Sequence, residues 1–239
     1  MSASILPRIL PCGDAALTVE FGREIDPAVN VRVLALDARV RGLAGVIETV
    51  PTYRSLLVHY DPAAADFHAL AAALLDLAAD LPDIAREGRL WRIPVVYGGE
   101  FGVDLGDIAR RHGITPDDLV QRHSAPVYRV YMSGFLPGFA YLGGLDPSIA
   151  TPRRESPRAR TPAGTISIGG VQALVASIEA PSGWHLLGRT PVRNFMLGRD
   201  PVFLLEPGDR VIFEPVAAER WDALDRAADA GDLVAELVA

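Results

Sequence analysis

The chain contains no lysine; its 23 basic residues are all arginine. That excludes a P-loop lysine, a Schiff-base lysine and a biotin-carrying lysine from this polypeptide. Cys12 stands alone, so neither an internal disulfide nor a multi-cysteine zinc site can form, which fits a reducing compartment. The longest uncharged runs are full of Gly, Pro, Ser and Thr, so no membrane span is expected. Pro7, Arg8 and Pro11 interrupt any apolar core of a secretory signal, and the chain reads as cytoplasmic. No GxSxG, HExxH, GxxxxGK[ST] or strand-linked GxGxxG occurs. A formal net charge of −7 argues against nucleic acid as a partner.

A length of 239 residues suits one large domain or two small ones, and the pattern along the chain divides it into two. Arg8 to Pro11 and Leu17 to Phe21 read as strands about the turn Cys12-Gly13-Asp14. Asp26 caps a helix with Pro27 at its first position, and Val29, Val33, Leu36, Val40 and Leu43 form its apolar face. Val46 to Val50 and Ser55 to Tyr60 read as a strand pair. A second helix, from Asp66, buries Leu70, Leu74 and Leu77. This ββαββα order predicts a small α/β sandwich over residues 1–88, with Leu81 to Arg89 as the interdomain linker. His68 has no partner at ligand spacing, and no metal site is expected.

The second half opens with the strand Leu90 to Tyr97, in which Pro94 suits an edge or a bulge. Two short helices follow, Asp104 to His112 and Thr115 to His123, with Gly113 between them. They are no DNA reader, because Asp117 and Asp118 in the first turn of the second would repel phosphates. Val127 to Met132, Thr165 to Ile168, Val171 to Ile178, Phe203 to Leu205 and Arg210 to Phe213 are strand-like, with Gly/Pro turns between them. Such spacing predicts a closed antiparallel β-barrel plugged by helices over residues 89–216. A helical tail is predicted over 217–239.

The stretch Ser133 to Gly170 concentrates the candidate chemistry. Phe135, Leu136, Phe139, Tyr141 and Leu142 lie among Gly134, Gly138, Gly143 and Gly144. Arg153, Arg154, Arg158 and Arg160 then lie between prolines. An apolar, glycine-shaped wall beside arginine forks suits a small anionic molecule. His123 and His185 are candidates here as acid or base; a packing role is the competing reading for both.

Six ordered motifs resemble one family: Ile93 to Gly99 (IPVVYGG), Gly134 to Leu145 (GFLPGFAYLGGL), Thr151 to Arg158 (TPRRESPR), Pro162 to Gln172 (PAGTISIGGVQ), Gly183 to Pro191 (GWHLLGRTP) and Pro207 to Val216 (PGDRVIFEPV). Gly13 to Gly22 and Pro51 to Pro62 fit it too. It is the family of the bacterial 5-oxoprolinase B subunit, also called allophanate hydrolase subunit 1 or the kinase-A-inhibitor-like family. The family pattern has a glycine and a glutamine where this chain has Ser182 and His185. The resemblance implies an α+β fold, a small N-terminal α/β domain followed by a cyclophilin-like antiparallel β-barrel. It also implies a component that, with the A and C subunits of the enzyme, opens 5-oxoproline to glutamate using ATP with magnesium. On that reading Arg153, Arg154, Arg158 and Arg189 supply charge at the site, with His123 as a further catalytic candidate. Gly164, Gly169 and Gly170 permit close backbone approach and Gln172 orients a polar group. Phe135, Pro137, Gly138, Phe139, Tyr141 and Trp184 wall the pocket or a subunit interface. Two other functions fit the same resemblance: the carboxyl-transferase component of a biotin-dependent urea carboxylase, with biotin on another chain, or an inhibitor that binds a sensor histidine kinase.

Overall fold

The structure is a computed structural model that describes residues 7–81 and 88–238. The chain divides into two compact units, Met1–Glu87 and Gly88–Ala239. Most of the expected linker, residues 82–87, lies outside the described residues.

In the first unit, β1 (Arg8–Pro11), β2 (Ala16–Glu20), β3 (Val46–Pro51) and β4 (Ser55–Tyr60) form an antiparallel sheet in the order β1-β2-β4-β3. Alternation decides which face is buried. Leu17 pairs with Val58 and Val19 with Leu56, and all four are fully buried. Against them pack α1 (Pro27–Val40) and α2 (Phe67–Ala79), through Val33, Leu36, Val40, Leu70 and Leu74. Both helices start where the sequence places them, since the carboxylates of Asp26 and Asp66 accept the Ala28 and Ala69 N–H groups.

The second unit begins with β5 (Leu90–Tyr97), α3 (Leu105–His112) and α4 (Pro116–Ser124). Then come β6 (Tyr128–Ser133), β7 (Ala140–Gly143), β8 (Arg158–Thr161), β9 (Thr165–Gly169), β10 (Gln172–Val175), β11 (Ala180–Ser182), β12 (His185–Arg189) and β13 (Arg210–Pro215). The order β12-β9-β10-β7-β6-β13-β5, closed by β5 on β12, makes a seven-stranded barrel. β8 and β11 form a separate ribbon. The barrel departs from the expected antiparallel pattern at one seam, where β13 runs parallel to β5. Its core includes Ile93, Val95, Tyr128, Val130, Ile166, Ile168, Val211 and Phe213, and α3 and α4 add Ile108 and Leu119.

Strand-like Phe203 to Leu205 turns out to hold only a bridge, Phe195 to Phe203. The expected terminal helix is also shorter. A single 3₁₀ turn leads into α5 (Trp221–Asp229), and β14 (Glu236–Leu237) pairs with β5 at Arg92 and Trp91. Pro94 falls between that pairing and the β12 pairing at Val96 and Tyr97. A residue with no N–H is tolerated there.

Candidate functional site

Asp104 organises the arginine-bearing loop. It stands at the N-cap position of α3 but makes no capping hydrogen bond. Its buried carboxylate instead takes two hydrogen bonds from Arg158, at 2.6 and 2.8 Å, and one from the Leu186 N–H at 2.8 Å. Arg154 approaches the same carboxylate at 3.4 Å. Burial would raise the pKa of Asp104, but these hydrogen bonds and both guanidinium charges outweigh it and hold the group below the usual carboxylate range. Two of the expected catalytic arginines are therefore committed to an internal acid.

Arg153 is placed differently. The Pro152 carbonyl accepts from His185 Nε2 at 2.9 Å, and the Arg154 N–H donates to the Gly183 carbonyl at 2.8 Å. The backbone is thus pinned on both sides of Arg153, opposite Trp184. The exposed Arg153 guanidinium lies over the Trp184 ring, 5.3 Å from its centroid. Tyr141 meets the same ring edge-on at 5.9 Å. Burial raises the Tyr141 pKa, and the nearby Arg153 charge opposes that rise. Trp184, Phe139, Leu174, Ala176 and Ala180 form a satellite cluster against which Leu136, Tyr141 and Ile178 pack.

Arg189 stands elsewhere. Its Nε donates to the Ala163 carbonyl, and its guanidinium lies 4.6 Å from the centroid of Trp221 on α5. Burial lowers its pKa; Asp225 and Glu100 act in the opposite direction. Neighbouring Arg193 bonds Asp225 and Asp229, which fastens α5 to the barrel.

Phe135, Pro137 and Gly138 line a cavity of about 430 Å³ with Ser133, Gly134, Leu136, Phe203, Leu205, Glu206 and Pro207. No arginine lines it, so the expected single pocket of apolar wall and arginine cluster is two neighbouring places. One buried side chain ties its walls together. Asn194 donates to the Gly138 carbonyl and accepts from the Leu205 N–H. Ser177 adds a hydrogen bond to the Pro137 carbonyl. Phe135 sits at the lip with φ +70°, a left-handed conformation that costs a non-glycine residue about 1–2 kcal/mol.

The remaining candidates are structural in placement. A Cβ on Gly169 would lie 2.7 Å from the Trp184 ring, so this glycine makes room for the tryptophan. Gly164 approaches Thr190 in the same way. Gly170, with φ +64°, opens the two-residue turn between β9 and β10, and Gln172 is buried just after it. His123 is removed from the site altogether. It is fully buried, stacked on Phe213, with Nδ1 2.8 Å from the Tyr97 hydroxyl. A helix C-terminus favours the charged form of a histidine, but burial wins here and lowers its pKa to about 3.

Sequence reading missed Asp104, Asn194, Ser177 and Trp221 as organisers of these places. Four arginines beside a single acid, Glu155, do signal that carboxylates from elsewhere must answer some of them, but not which ones.

Residues 7–205 match the family described as carboxyltransferase domain, subdomain C and D. The chain belongs to that family. It is 38% identical over 224 residues to the B subunit of 5-oxoprolinase from Bacillus subtilis, covering 88% of this chain and 93% of that protein. The crystal structure of TTHA0988 superposes with a TM-score of 0.75 at 36% identity; the overlap covers 85% of this chain and 40% of that longer one. The urea amidolyase of Kluyveromyces lactis shares the fold, at 20% identity and a TM-score of 0.78, over 96% of this chain and 16% of that one. The carboxyltransferase-domain match ends before β13, so that barrel strand, with α5 and β14, lies beyond it.

Proposed function

We propose that this chain is the B subunit of an ATP-dependent 5-oxoprolinase, which opens the lactam of 5-oxoproline to glutamate together with its A and C subunits. The observation that carries this reading is the 38% identity to a 5-oxoprolinase B subunit along nearly that protein's whole length. A lactam is a resonance-stabilised amide and a poor electrophile. Phosphorylating its oxygen creates a leaving group and activates the ring carbon for water. Such a step needs cations near the transferring phosphoryl group and donors for the substrate carboxylate.

On this chain Arg153 fits one such anionic group, because no carboxylate among the described residues forms an ion pair with it. The 430 Å³ cavity does not fit a triphosphate, since its lining carries Glu206 and no cation. On this reading a partner chain supplies the rest of the nucleotide contacts. Among the described residues no group of three His, Cys, Asp or Glu is placed to hold a metal. Among these residues too, no helix is long and apolar enough to cross a membrane.

The test is co-expression with the C-type partner chain, then ATP consumption with and without 5-oxoproline and the A-type partner. ATP turnover that depends on 5-oxoproline supports the reading. Turnover that depends instead on urea and a biotin carrier would replace it with carboxyl transfer, the reading favoured by the family description.

A further inference from the structure

We propose that Arg153, laid on Trp184 beside Tyr141, is an oxyanion-recognition site of this chain by itself, selective for a carboxylate or phosphate on a compact, flat or apolar body. Three observations converge on it. The first is elimination by geometry. Arg158 and Arg154 share Asp104, Arg160 pairs with Glu179, and Arg193 pairs with Asp225 and Asp229. Arg189 has its guanidinium against Trp221 and its Nε on the Ala163 carbonyl. Among these described arginines, Arg153 alone is both exposed and without a carboxylate partner.

The second is rigidity. Hydrogen bonds from His185 to the Pro152 carbonyl and from the Arg154 N–H to the Gly183 carbonyl fix the chain either side of Arg153. Its guanidinium lies over an almost fully buried indole, 5.3 Å from the ring centroid, and that indole is itself seated against Gly169. Pinning the backbone and resting the head over a ring lowers the entropy that this arginine loses when a ligand arrives. No carboxylate among the described residues competes for its N–H groups, which suit a bidentate oxyanion. The third is the setting. Half-buried Tyr141, with Leu136 and Ile178, packs against the buried cluster of Phe139, Leu174 and Trp184. These partly buried side chains give the body of the ligand something to lie against. Arg154 and Arg158 then act as positioning residues, holding the loop to Asp104.

The choice of 5-oxoproline as one probe rests on the proposed function; the site does not. The experiment is an NMR titration of the full chain at 0.15 M salt, following the indole N–H resonance of Trp184, identified by its loss in Trp184→Phe. Sodium acetate, inorganic phosphate and 5-oxoproline are the three probes. A saturable shift is expected with at least one oxyanion, strongest where the oxyanion is carried on a ring. Preference for phosphate over both carboxylates assigns the nucleotide to this site, and preference for 5-oxoproline assigns the substrate carboxylate.

Arg153→Ala should weaken binding by about tenfold or more, the loss expected for hydrogen bonds to a charged group. Arg153→Lys should recover it only in part. Arg160→Ala removes the same charge from an exposed arginine nearby in sequence and should leave binding unchanged. No saturable shift with any probe overturns the proposal, as does undiminished binding by Arg153→Ala or equal weakening by Arg160→Ala. Because the readout needs no partner chain, its failure is distinct from failure of the oxoprolinase assay.

Discussion

The arginine face and the apolar cavity are neighbours on one barrel, joined through Leu136, which lines the cavity and packs against the cluster holding Trp184. Each depends on a loop that must be held still. At the arginine face the anchor is ionic: one buried carboxylate, Asp104, holds Arg158 and Arg154. At the cavity the anchor is neutral: the Asn194 carboxamide bonds the backbone of both walls, with Ser177 beside it. The difference sets what each can receive. Two arginines on one acid leave positive charge to spare around Arg153, which favours an oxyanion. A neutral fork adds no charge, and the cavity keeps an apolar lining with Glu206 as its only ionised member.

The largest expected effect comes from removing the ionic anchor. Asp104→Ala leaves two guanidinium groups and the Leu186 N–H without their acceptor. The cost should be about 3 kcal/mol, at the low end for a broken buried pair because both arginines are partly exposed. Urea denaturation reads the loss, and amide exchange should quicken at residues 152–160 while 133–138 keep their protection. Asn194→Ala should do the converse. A buried carbonyl and N–H lose their partners at about 2 kcal/mol, and exchange should quicken at 133–138 alone. If either variant loosens both loops together, the two places are one unit and the distinction collapses.

Acid should separate them as well. The folded pKa of Asp104 is depressed, so its contribution is present above the unfolded carboxylate value and is lost as pH falls through the folded one. The arginine loop should therefore loosen in acid before the cavity walls do. His123, in neither place, has its own signature. Its folded pKa of about 3 lies below the unfolded value, so between pH 6.5 and 3 the unfolded chain binds a proton that the folded chain refuses. Stability should fall with falling pH there by about 1.4 kcal/mol per pH unit from this group. His123→Phe should flatten the measured slope by one proton; an unchanged slope would place the histidine in contact with solvent. The smallest effect should be a gain. Phe135→Gly relieves the left-handed backbone while removing a side chain that is 66% exposed, and should raise stability by about 1 kcal/mol, read as a higher Tm.

Much of the fold was legible because local rules decide it. Alternation of Leu17 and Val19 against Leu56 and Val58, and caps at Asp26, Asp66 and Thr115, needed no knowledge of distant residues. β7 escaped notice because Gly143 interrupts the pattern; a Cβ there would overlap the Tyr131 ring. The site was legible as composition but not as geometry. Asp104 looks like an ordinary helix cap, and its partners lie 50 to 82 residues onward. Gly169 suggested room for a ligand, whereas the room is taken by Trp184. Four arginines within a short loop look equivalent in sequence, and only pairing at a distance tells the mounted ones from the one left over.

The parallel seam between β5 and β13 has a consequence for how the chain is made. Leu90 pairs with Arg210, so the strand that opens the second unit waits through about 120 intervening residues for its neighbour. On the ribosome, the first unit can settle from contacts within its own residues while β5 stands with a bare edge. That long-range closure should make barrel formation the slow, aggregation-exposed stage of biogenesis.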